Sequence, residues 1–279
     1  MRYFWMTLAG MLLAGSGGYA QQPPQQQLPP QQQPPTTPPA AAPLDPAHNR
    51  LDALLLRWEQ EMTKVQTIVA YCTRTSVDKT FQVAEVYEGT AKYMKPNLAM
   101  LEMQKREKEP QKKGKPPVFE KYICTGTFLY EYVPHDKVIR VHELPPPKPG
   151  QVSDDNFLSF LFGMRAEEAR RRYELKLVKE DQWYFYIEIL PRFAADKADF
   201  QKARLVLTSK TFLPRELWFE QPNGNEVKWD MPKVESGADL RRTDFTSPAT
   251  PPGWNLVRVP RGSEASQGTV PPRIVRPKP

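Results

Sequence analysis

The sequence predicts an α+β fold dominated by a strongly curved antiparallel sheet, an unclosed half-barrel with an N-terminal helix and an inserted helical lid. Three observations support this. An amphipathic helical pattern stands before the first strand-like run. Runs with period-two alternation then recur through most of the chain and are joined by tight turns. Between two groups of such runs, a short apolar segment has the composition of a covering helix.

The N-terminus has the pattern of a secretory signal peptide. Arg2 precedes an apolar run over residues 3–14, and residues 18–20 fit an A-x-A-like cleavage site, so residues 1–20 are expected to be removed. The apolar run is too short to span a membrane. We therefore expect a mature chain that is exported or periplasmic, and soluble.

Composition divides the rest of the chain. Residues 21–45 are a Pro/Gln-rich segment that cannot bury a core, and residues 261–279 are a basic, Pro-rich tail; both are expected to be disordered. Residues 46–260 remain as one domain of ordinary size. The formal net charge of +7 either favours anionic lipid surfaces or serves solubility.

The domain is expected to begin with a helix. Asp45 is a good N-cap, and Pro46 is tolerated in the first helical turn. Apolar side chains then recur at helical spacing over about twenty residues, which predicts one buried stripe. The stripe consists of Leu51, Leu54, Leu55, Trp58, Met62 and Val65.

Three strand-like runs follow, over residues 67–77, 81–93 and 98–103. Gly89 lies within the second run and marks a bulge or a bend of the sheet. Residues 105–117 are rich in lysine and proline, which predicts an exposed loop. Its lysines are either solvated or in contact with an anionic membrane surface or a partner.

A meander of three short strands is predicted over residues 122–141, because alternating runs there are separated by tight turns. Residues 157–162 are apolar nearly all round and must be covered on more than one side, which makes them the natural lid. A second small helix is expected after Gly163. The remaining strands are expected at residues 173–179, 183–190, 203–208, 213–221 and 226–231, with a last short one at 240–245.

The sequence offers no catalytic or metal-binding motif. The three histidines lie outside any metal-ligand spacing, and no nucleophile elbow or phosphate-binding glycine loop is present. We therefore expect a non-enzymatic protein without cofactor or metal. A hydrolase that uses Cys124 with His142 is kept as an alternative. Whether Cys72 and Cys124 pair is left open by the sequence.

A strongly curved sheet must cover its concave face with side chains, a helix or a ligand. Aromatic and apolar residues on the predicted strands and lid are the candidates to line this face, either as ligand contacts or as packed core. They are Phe128, Tyr130, Tyr132, Phe157, Phe160, Leu161, Trp183, Phe185, Trp218 and Trp229.

The order of these elements resembles the LolA/LolB superfamily of periplasmic lipoprotein carriers. The resemblance covers roughly residues 51–259 and is carried by several motifs in sequence order. They are GTAKYMKPN at 89–97, the meander at 122–141, Leu213-Pro214, QPNGN at 221–225, Asp244-Phe245 and Pro252-Gly253-Trp254. Residues 160–172, FLFGMRAEEARRR, are similar to an uncharacterised exported branch of this superfamily from planctomycete bacteria.

The resemblance implies an unclosed barrel with a helical lid over an apolar cavity. It also implies a role for Lys95 at the position where the family has the arginine that holds the lid. Lysine lacks the planar donor fork of arginine, so a latch at Lys95 is expected to be weaker.

The implied function is an exported, monomeric carrier or binding protein for lipid, lipoprotein acyl chains or a similar apolar ligand. The alternative is an envelope regulatory or sensor module that binds a protein partner on the same fold. Peripheral membrane contact is compatible with both functions, and no nucleic-acid partner is expected.

Overall fold

The computed structural model describes residues 43–107, 119–144 and 164–259. Within these ranges the chain is dominated by strands, with helix α1 at the start and two short helices later. In chain order the first elements are α1 (Arg50–Lys64), β1 (Thr67–Asp78), β2 (Val83–Met94), β3 (Leu98–Lys105), β4 (Phe119–Thr125), β5 (Phe128–Val133) and β6 (Val138–Glu143).

The second half repeats this pattern of short strands joined by tight connections. Its elements are α2 (Ala166–Arg172), β7 (Tyr173–Glu180), β8 (Tyr184–Pro191), α3 (Ala194–Lys197), β9 (Lys202–Thr208), β10 (Pro214–Glu220), β11 (Glu226–Ser236), a 3₁₀ turn (Arg242–Phe245) and β12 (Asn255–Val259).

All twelve strands belong to one sheet in the order β12-β6-β5-β4-β3-β2-β1-β11-β10-β9-β8-β7. In this order the outermost strands, β12 and β7, each pair with one neighbour, so the sheet is an open, curved half-barrel as the sequence predicts. Every pairing is antiparallel except that of β6 with β12, which is parallel. The sheet is therefore mixed. Its last strand, β12, is distant from β6 in sequence and pairs with it in parallel.

Helix α1 begins later than its sequence pattern indicates. Asn49, not Asp45, is the N-cap, and its side-chain oxygen accepts hydrogen bonds from the backbone N–H groups of Leu51 and Asp52. Asp45 instead closes the preceding turn by accepting from the N–H of His48. Asn and Asp are both strong N-caps, so the pattern alone does not choose between them.

The prediction of a last strand at residues 240–245 is wrong. Arg242–Phe245 forms a 3₁₀ turn whose Phe245 side chain is buried. The final strand is β12, for which the sequence pattern predicts no strand. Pairing beside β6 stabilises β12 even though its side chains are mostly exposed.

Gly89 lies where β2 and β3 approach each other closely, and it does not form a bulge. The registers of β1 with β2 and of β2 with β3 run through Gly89 without a shift. A Cβ atom built on Gly89 would lie 1.8 Å from the backbone oxygen of Glu102 on β3. Only glycine fits such an approach, so the prediction of a bend at this position is compatible with the structure and that of a bulge is wrong.

Two hydrophobic clusters lie on opposite faces of the sheet. The main core contains the buried stripe of α1 together with one face of β1–β3 and β7–β11. The second cluster lies on the other face of β4–β6 and is covered by Trp254. We call the face that carries α1 the inner face and the opposite one the outer face.

Helix α1 lies along one end of the inner face. Near its start, the Arg50 guanidinium pairs with Glu180 on β7 and lies 5.8 Å from the ring centre of Phe185 on β8. At its last turn, Lys95 from the β2–β3 turn bonds to its carbonyl groups. We call this the helix end of the sheet, and the end with the β1–β2 and β10–β11 turns the hairpin end.

Several predictions fall outside the described residues. These are the signal peptide at 1–20, the linker up to residue 42, most of the 105–117 loop, the lid at 157–162 and the tail at 261–279. Among the described residues, no helix has the length and apolar character needed to cross a bilayer.

Candidate ligand-binding face

The inner face of β1–β4 is lined by apolar and aromatic side chains. Because directly paired residues in neighbouring strands share a face, the row Ala70, Ala91, Leu101 and Tyr122 lies on the same side as α1. Tyr122 is partly buried against the main core. Burial raises the pKa of its phenol, and the nearby Glu120 and Glu131 carboxylates raise it further, so Tyr122 is a neutral, largely apolar contact at neutral pH.

Towards the hairpin end, a charged pair crosses this face. Arg74 Nη1 lies 2.8 Å from Glu120 Oε2, and Arg74 Nη2 lies 2.6 Å from Glu120 Oε1. The two side chains are only 12% and 16% exposed. The Arg74 guanidinium also lies 4.6 Å from the ring centre of Tyr87 and 5.4 Å from that of Trp229. The pair is therefore a bidentate ion pair held between two aromatic rings.

The Arg74–Glu120 pair connects strands that are not neighbours. Arg74 lies on β1 and Glu120 on β4, with β2 and β3 between them. Three strand spacings separate the backbones of β1 and β4 by roughly 14 Å in a flat sheet. The two long side chains bridge this separation across the inner face.

The inner face becomes polar towards the β6 side of the sheet. The Glu131 carboxylate on β5 is hydrogen-bonded to His142, whose Nε2 lies 3.1 Å from Glu131 Oε2. Arg140 Nη1 lies 3.8 Å from the same oxygen. Pairing across β5 and β6 puts Arg140 next to Glu131 and His142 next to Leu129. This face therefore carries an apolar, aromatic part and an adjoining charged part, which suits an amphipathic ligand.

The three aromatic residues of β5 lie on the outer face, not the inner one. Tyr130 pairs with Ile123 and Val141, in the row opposite to that of Tyr122. Phe128 and Tyr132 pack in the same outer cluster, and the Tyr132 and Trp254 ring centres are 5.7 Å apart. The prediction that these residues line the face covered by α1 is wrong, because alternation separates the two faces of a strand but does not show which of them carries the helix.

The predicted tryptophans divide between both faces and a turn. Trp218 lies on the outer face, where its Nε1 donates to Glu226 Oε2 at 3.3 Å. Trp183 lies at the β7–β8 turn and is 56% exposed. Trp229 is paired with Leu217 and Arg74 and lies on the inner face. Of these, the structure brings only Trp229 to the candidate face.

Two further predicted site residues, Phe185 and Lys95, make contacts that stabilise the fold. Phe185 is buried in the main core, with its ring centre 5.3 Å from that of Phe212. Lys95 Nζ donates to the backbone oxygens of Met62 at 2.8 Å and Thr63 at 3.0 Å. It thereby stabilises the C-terminal turn of α1. Burial lowers the pKa of its ammonium group. The remaining predicted site residues, Phe157, Phe160 and Leu161, lie outside the described residues.

The alternative of a thiol nucleophile has no support in the geometry. Cys124 Sγ donates to the backbone oxygen of Asn97 at 3.0 Å, and burial raises the pKa of the thiol. His142 lies in the same row of the inner face, but Leu129 on β5 stands between them. Cys72 is buried, with a thiol pKa raised by burial to about 11. Both thiols are free. Among the described residues, no group of His, Cys, Asp and Glu is arranged to hold a metal ion.

Sequence reasoning missed four residues of the candidate face: Arg74, Tyr87, Glu120 and Tyr122. Alternation alone shows that Tyr87 shares a face with Gly89, and Tyr122 with Cys124. What it does not show is which of the two faces carries α1. The ion pair of Arg74 with Glu120 was beyond sequence reasoning because it depends on the order and register of four paired strands.

These features define an open, twelve-stranded sheet with a helix packed along one end of its inner face. No protein-family model matches the chain, and no curated protein sequence matches it. Solved structures with a similar fold include an uncharacterised conserved protein from Thermus thermophilus. It shares 10% identity at a TM-score of 0.44, over 76% of this chain and 100% of that one.

LolA-superfamily and LolA-like proteins are also among the similar solved structures. A LolA superfamily protein from Nitrosomonas europaea shares 11% identity at a TM-score of 0.32, over 70% of this chain and 97% of that one. The Pseudomonas aeruginosa MucA/MucB complex contains a chain with 10% identity at a TM-score of 0.40, over 70% of this chain and 60% of that one.

Proposed function

We propose that this chain is an exported, non-enzymatic binding protein that holds a lipid, the acyl chains of a lipoprotein or a similar apolar ligand against the inner face of its sheet. The proposal places the protein in the periplasm or outside the cell, as its predicted signal peptide requires. The protein acts there as a monomer.

The observation that carries the proposal is the division of the inner face. Helix α1 lies along the helix end, where it contacts β7, β8 and the β2–β3 turn. The aromatic surface around Tyr122 and Trp229, which are both partly buried, lies beyond it. A concave apolar surface of this kind is the usual setting for a small ligand. Each buried acyl methylene contributes about 0.8 kcal/mol to binding.

The chemistry of the face is that of a binding site and not of a catalyst. The two thiols are held protonated by burial. The Arg74–Glu120 pair satisfies its own charges. Glu131, Arg140 and His142 can contact a polar head group, while the aromatic surface contacts the chain of the same ligand.

The test is to purify the mature chain from the envelope of its host and analyse it by native mass spectrometry and lipid extraction. We expect a bound lipid, or its uptake when the stripped protein is mixed with vesicles. A protein that neither carries nor takes up lipid would contradict the proposal.

The open edges of the sheet favour a second candidate, a regulatory or sensor module that binds a protein partner. Among the described residues, strand β12 pairs only with β6, and it exposes Leu256 and Val257. A free strand edge can accept an extended segment of another protein. Recovery of one specific envelope protein in a pull-down, without lipid in the purified chain, would favour this second function.

A further inference from the structure

Arg140 differs from the other basic side chains on the inner face of β1–β6. Within the described part of these strands, Arg74 and Lys105 are each paired closely with a glutamate. The carboxylate nearest to Arg140 is that of Glu131, at 3.8 Å, which is too long for a hydrogen bond. The Arg140 side chain is 41% exposed. Its guanidinium therefore has N–H donors available for a further acceptor.

The Glu131 carboxylate beside Arg140 is already engaged. Its Oε2 lies 3.1 Å from His142 Nε2, which is hydrogen-bonding distance. The Glu131 and His142 side chains are 21% and 19% exposed, about half as exposed as that of Arg140. A guanidinium has five N–H donors, so Arg140 can stay near Glu131 and still bind a second anion with two donors. Of these three side chains, Arg140 is the most accessible to a ligand.

The residues that surround this cluster on the inner face are aliphatic. The register pairs Arg140 with Val257 of β12, and His142 with Val259. On β5 and β6, alternation places two further valines on the same face, since they are paired with each other one step along from Glu131 and Arg140. These four neighbours are Val133, Val138, Val257 and Val259. Their side chains offer the guanidinium no competing acceptor.

Strand β12 forms the outer side of this surface. Its inner-facing residues, Asn255, Val257 and Val259, carry no charge, while Arg258 lies on the outer face beside Val141. An anion at Arg140 therefore meets no repelling group on β12. We call Glu131, Arg140, His142 and the four valines the head-group subsite.

The head-group subsite adjoins the aromatic part of the inner face. Tyr122, Glu131 and Arg140 are directly paired in one row across β4, β5 and β6. Two strand spacings, about 10 Å, separate Tyr122 from Arg140. An acyl chain that contacts Tyr122 can therefore carry its head group to Arg140.

We propose that Arg140 binds the anionic head group of the ligand, a carboxylate or a phosphate, and that the preferred ligands are therefore anionic amphiphiles. A guanidinium matches both groups with two parallel, charge-assisted N–H···O bonds. This assignment rests on the proposed function, because it concerns the head group of the same ligand. It adds the charge of the ligand and the residue that recognises it.

The test is a fluorescence titration of the delipidated mature chain with a fatty acid that carries a dansyl label at the far end of its chain. The methyl ester of the same compound keeps the chain and removes the charge. The variants are Arg140→Leu and Arg140→Lys. Arg258→Leu is the matched control, because it removes an arginine from the opposite face of the neighbouring strand.

We expect the wild-type chain to bind the acid about tenfold more tightly than the ester. Arg140→Leu should bind both compounds equally, at the level of the ester, because the interaction of the arginine with the carboxylate is then absent. Arg140→Lys should keep part of the preference, since lysine retains the charge but lacks the planar fork. Arg258→Leu should behave as the wild-type chain does.

Competition distinguishes the sources of the anionic group. Displacement of the probe by unlabelled fatty acid indicates a carboxylate, and displacement by lysophosphatidylglycerol indicates a phosphate; either result supports the proposal. Inorganic phosphate should not displace the probe, because it has no chain to contact Tyr122. If it displaces the probe as well as a lipid does, the subsite binds free anions and the proposal is overturned.

The outcomes separate this inference from the proposed function. Equal binding of acid and ester by the wild-type chain, or a preference for the acid that Arg140→Leu retains, would overturn the role of Arg140 and leave lipid binding intact. A folded chain that binds neither compound would contradict both.

Discussion

Arg74 on β1 and Glu120 on β4 form a bidentate ion pair across the inner face, with Nη–Oε distances of 2.8 Å and 2.6 Å. Two strands lie between β1 and β4. The pair joins the two outer strands of this four-stranded part of the sheet, next to the surface on which we propose that a ligand binds. Removing it tests the stability of this region.

The first prediction concerns the coupling between these two side chains. Arg74→Met leaves the Glu120 carboxylate buried without its partner, and we expect it to lower the free energy of unfolding by about 3 kcal/mol. Glu120→Leu should have a similar effect, because it leaves Arg74 without its partner. The double variant Arg74→Met/Glu120→Leu should recover much of the loss, because no uncompensated charge remains. Urea unfolding measures all three, and costs that simply add would contradict the coupling.

The second prediction concerns the close approach at Gly89. A methyl group there would meet the Glu102 backbone oxygen at 1.8 Å, and backbone atoms of a paired strand cannot move aside cheaply. Gly89→Ala should therefore destabilise the fold by about 3 kcal/mol or more. The neighbouring Thr90→Ala faces the other side of β2 and serves as the control. Equal melting temperatures for the two variants would show that β2 and β3 are less close than described.

Most of the fold follows from sequence patterns. Alternation and turn residues predict eleven of the strands of the sheet, and the apolar stripe predicts α1. The exception is β12, whose exposed side chains give no alternation of burial. Its position depends on a parallel pairing with β6, which is far away in sequence. Such a pairing leaves no local signal.

The candidate site was less predictable than the fold. A strand pattern identifies two sets of residues but does not say which set meets α1. Tyr122 and Tyr132 show the difficulty, because each belongs to an alternating aromatic run and yet they lie on opposite faces. Lys95 is at the position expected from the family resemblance, but the partners described for it are carbonyl groups of α1.

The third prediction concerns the reactivity of Cys72. Burial raises the pKa of its thiol to about 11, so the thiolate fraction near pH 8 is about a hundredfold lower than for an exposed cysteine. We expect Cys72 to react with a disulfide reagent only after unfolding. Two reactive thiols in the denatured, unreduced chain would agree with free cysteines, whereas none would indicate a disulfide.

The same shift in pKa predicts a dependence of stability on pH. The unfolded thiol ionises near its ordinary pKa and the folded one only near 11. Between these values the folded chain holds more protons than the unfolded chain, so stability falls as the pH rises. Across this pH window, the free energy of unfolding should fall by about 2 to 3 kcal/mol less in Cys72→Ala than in the wild-type chain. Parallel curves for the two proteins would contradict the burial of this thiol.

The fourth prediction concerns the end of α1. Lys95→Met removes two charge-assisted hydrogen bonds to the carbonyl groups of Met62 and Thr63, and we expect a loss of about 1 to 2 kcal/mol. Hydrogen exchange should quicken in the last turn of α1. The control is Lys92→Met, which lies on the outer face of β2. If exchange in α1 is the same in both variants, Lys95 does not stabilise the helix.

The central claim is that a lipid binds to the inner face, and two tyrosines on adjacent strands test it most directly. Tyr122 on β4 faces inwards and Tyr132 on β5 faces outwards. Across the two strands, Tyr122 is paired with Glu131, and Tyr132 is paired with Lys121. The measurement is a titration of the delipidated chain with a dansyl-labelled fatty acid, with unfolding curves to show that each variant is folded. Tyr122→Ala should weaken binding about tenfold, while Tyr132→Ala should change it less than about twofold because it alters only the outer cluster. Equal effects of the two substitutions, or no binding by the wild-type chain, would contradict the claim.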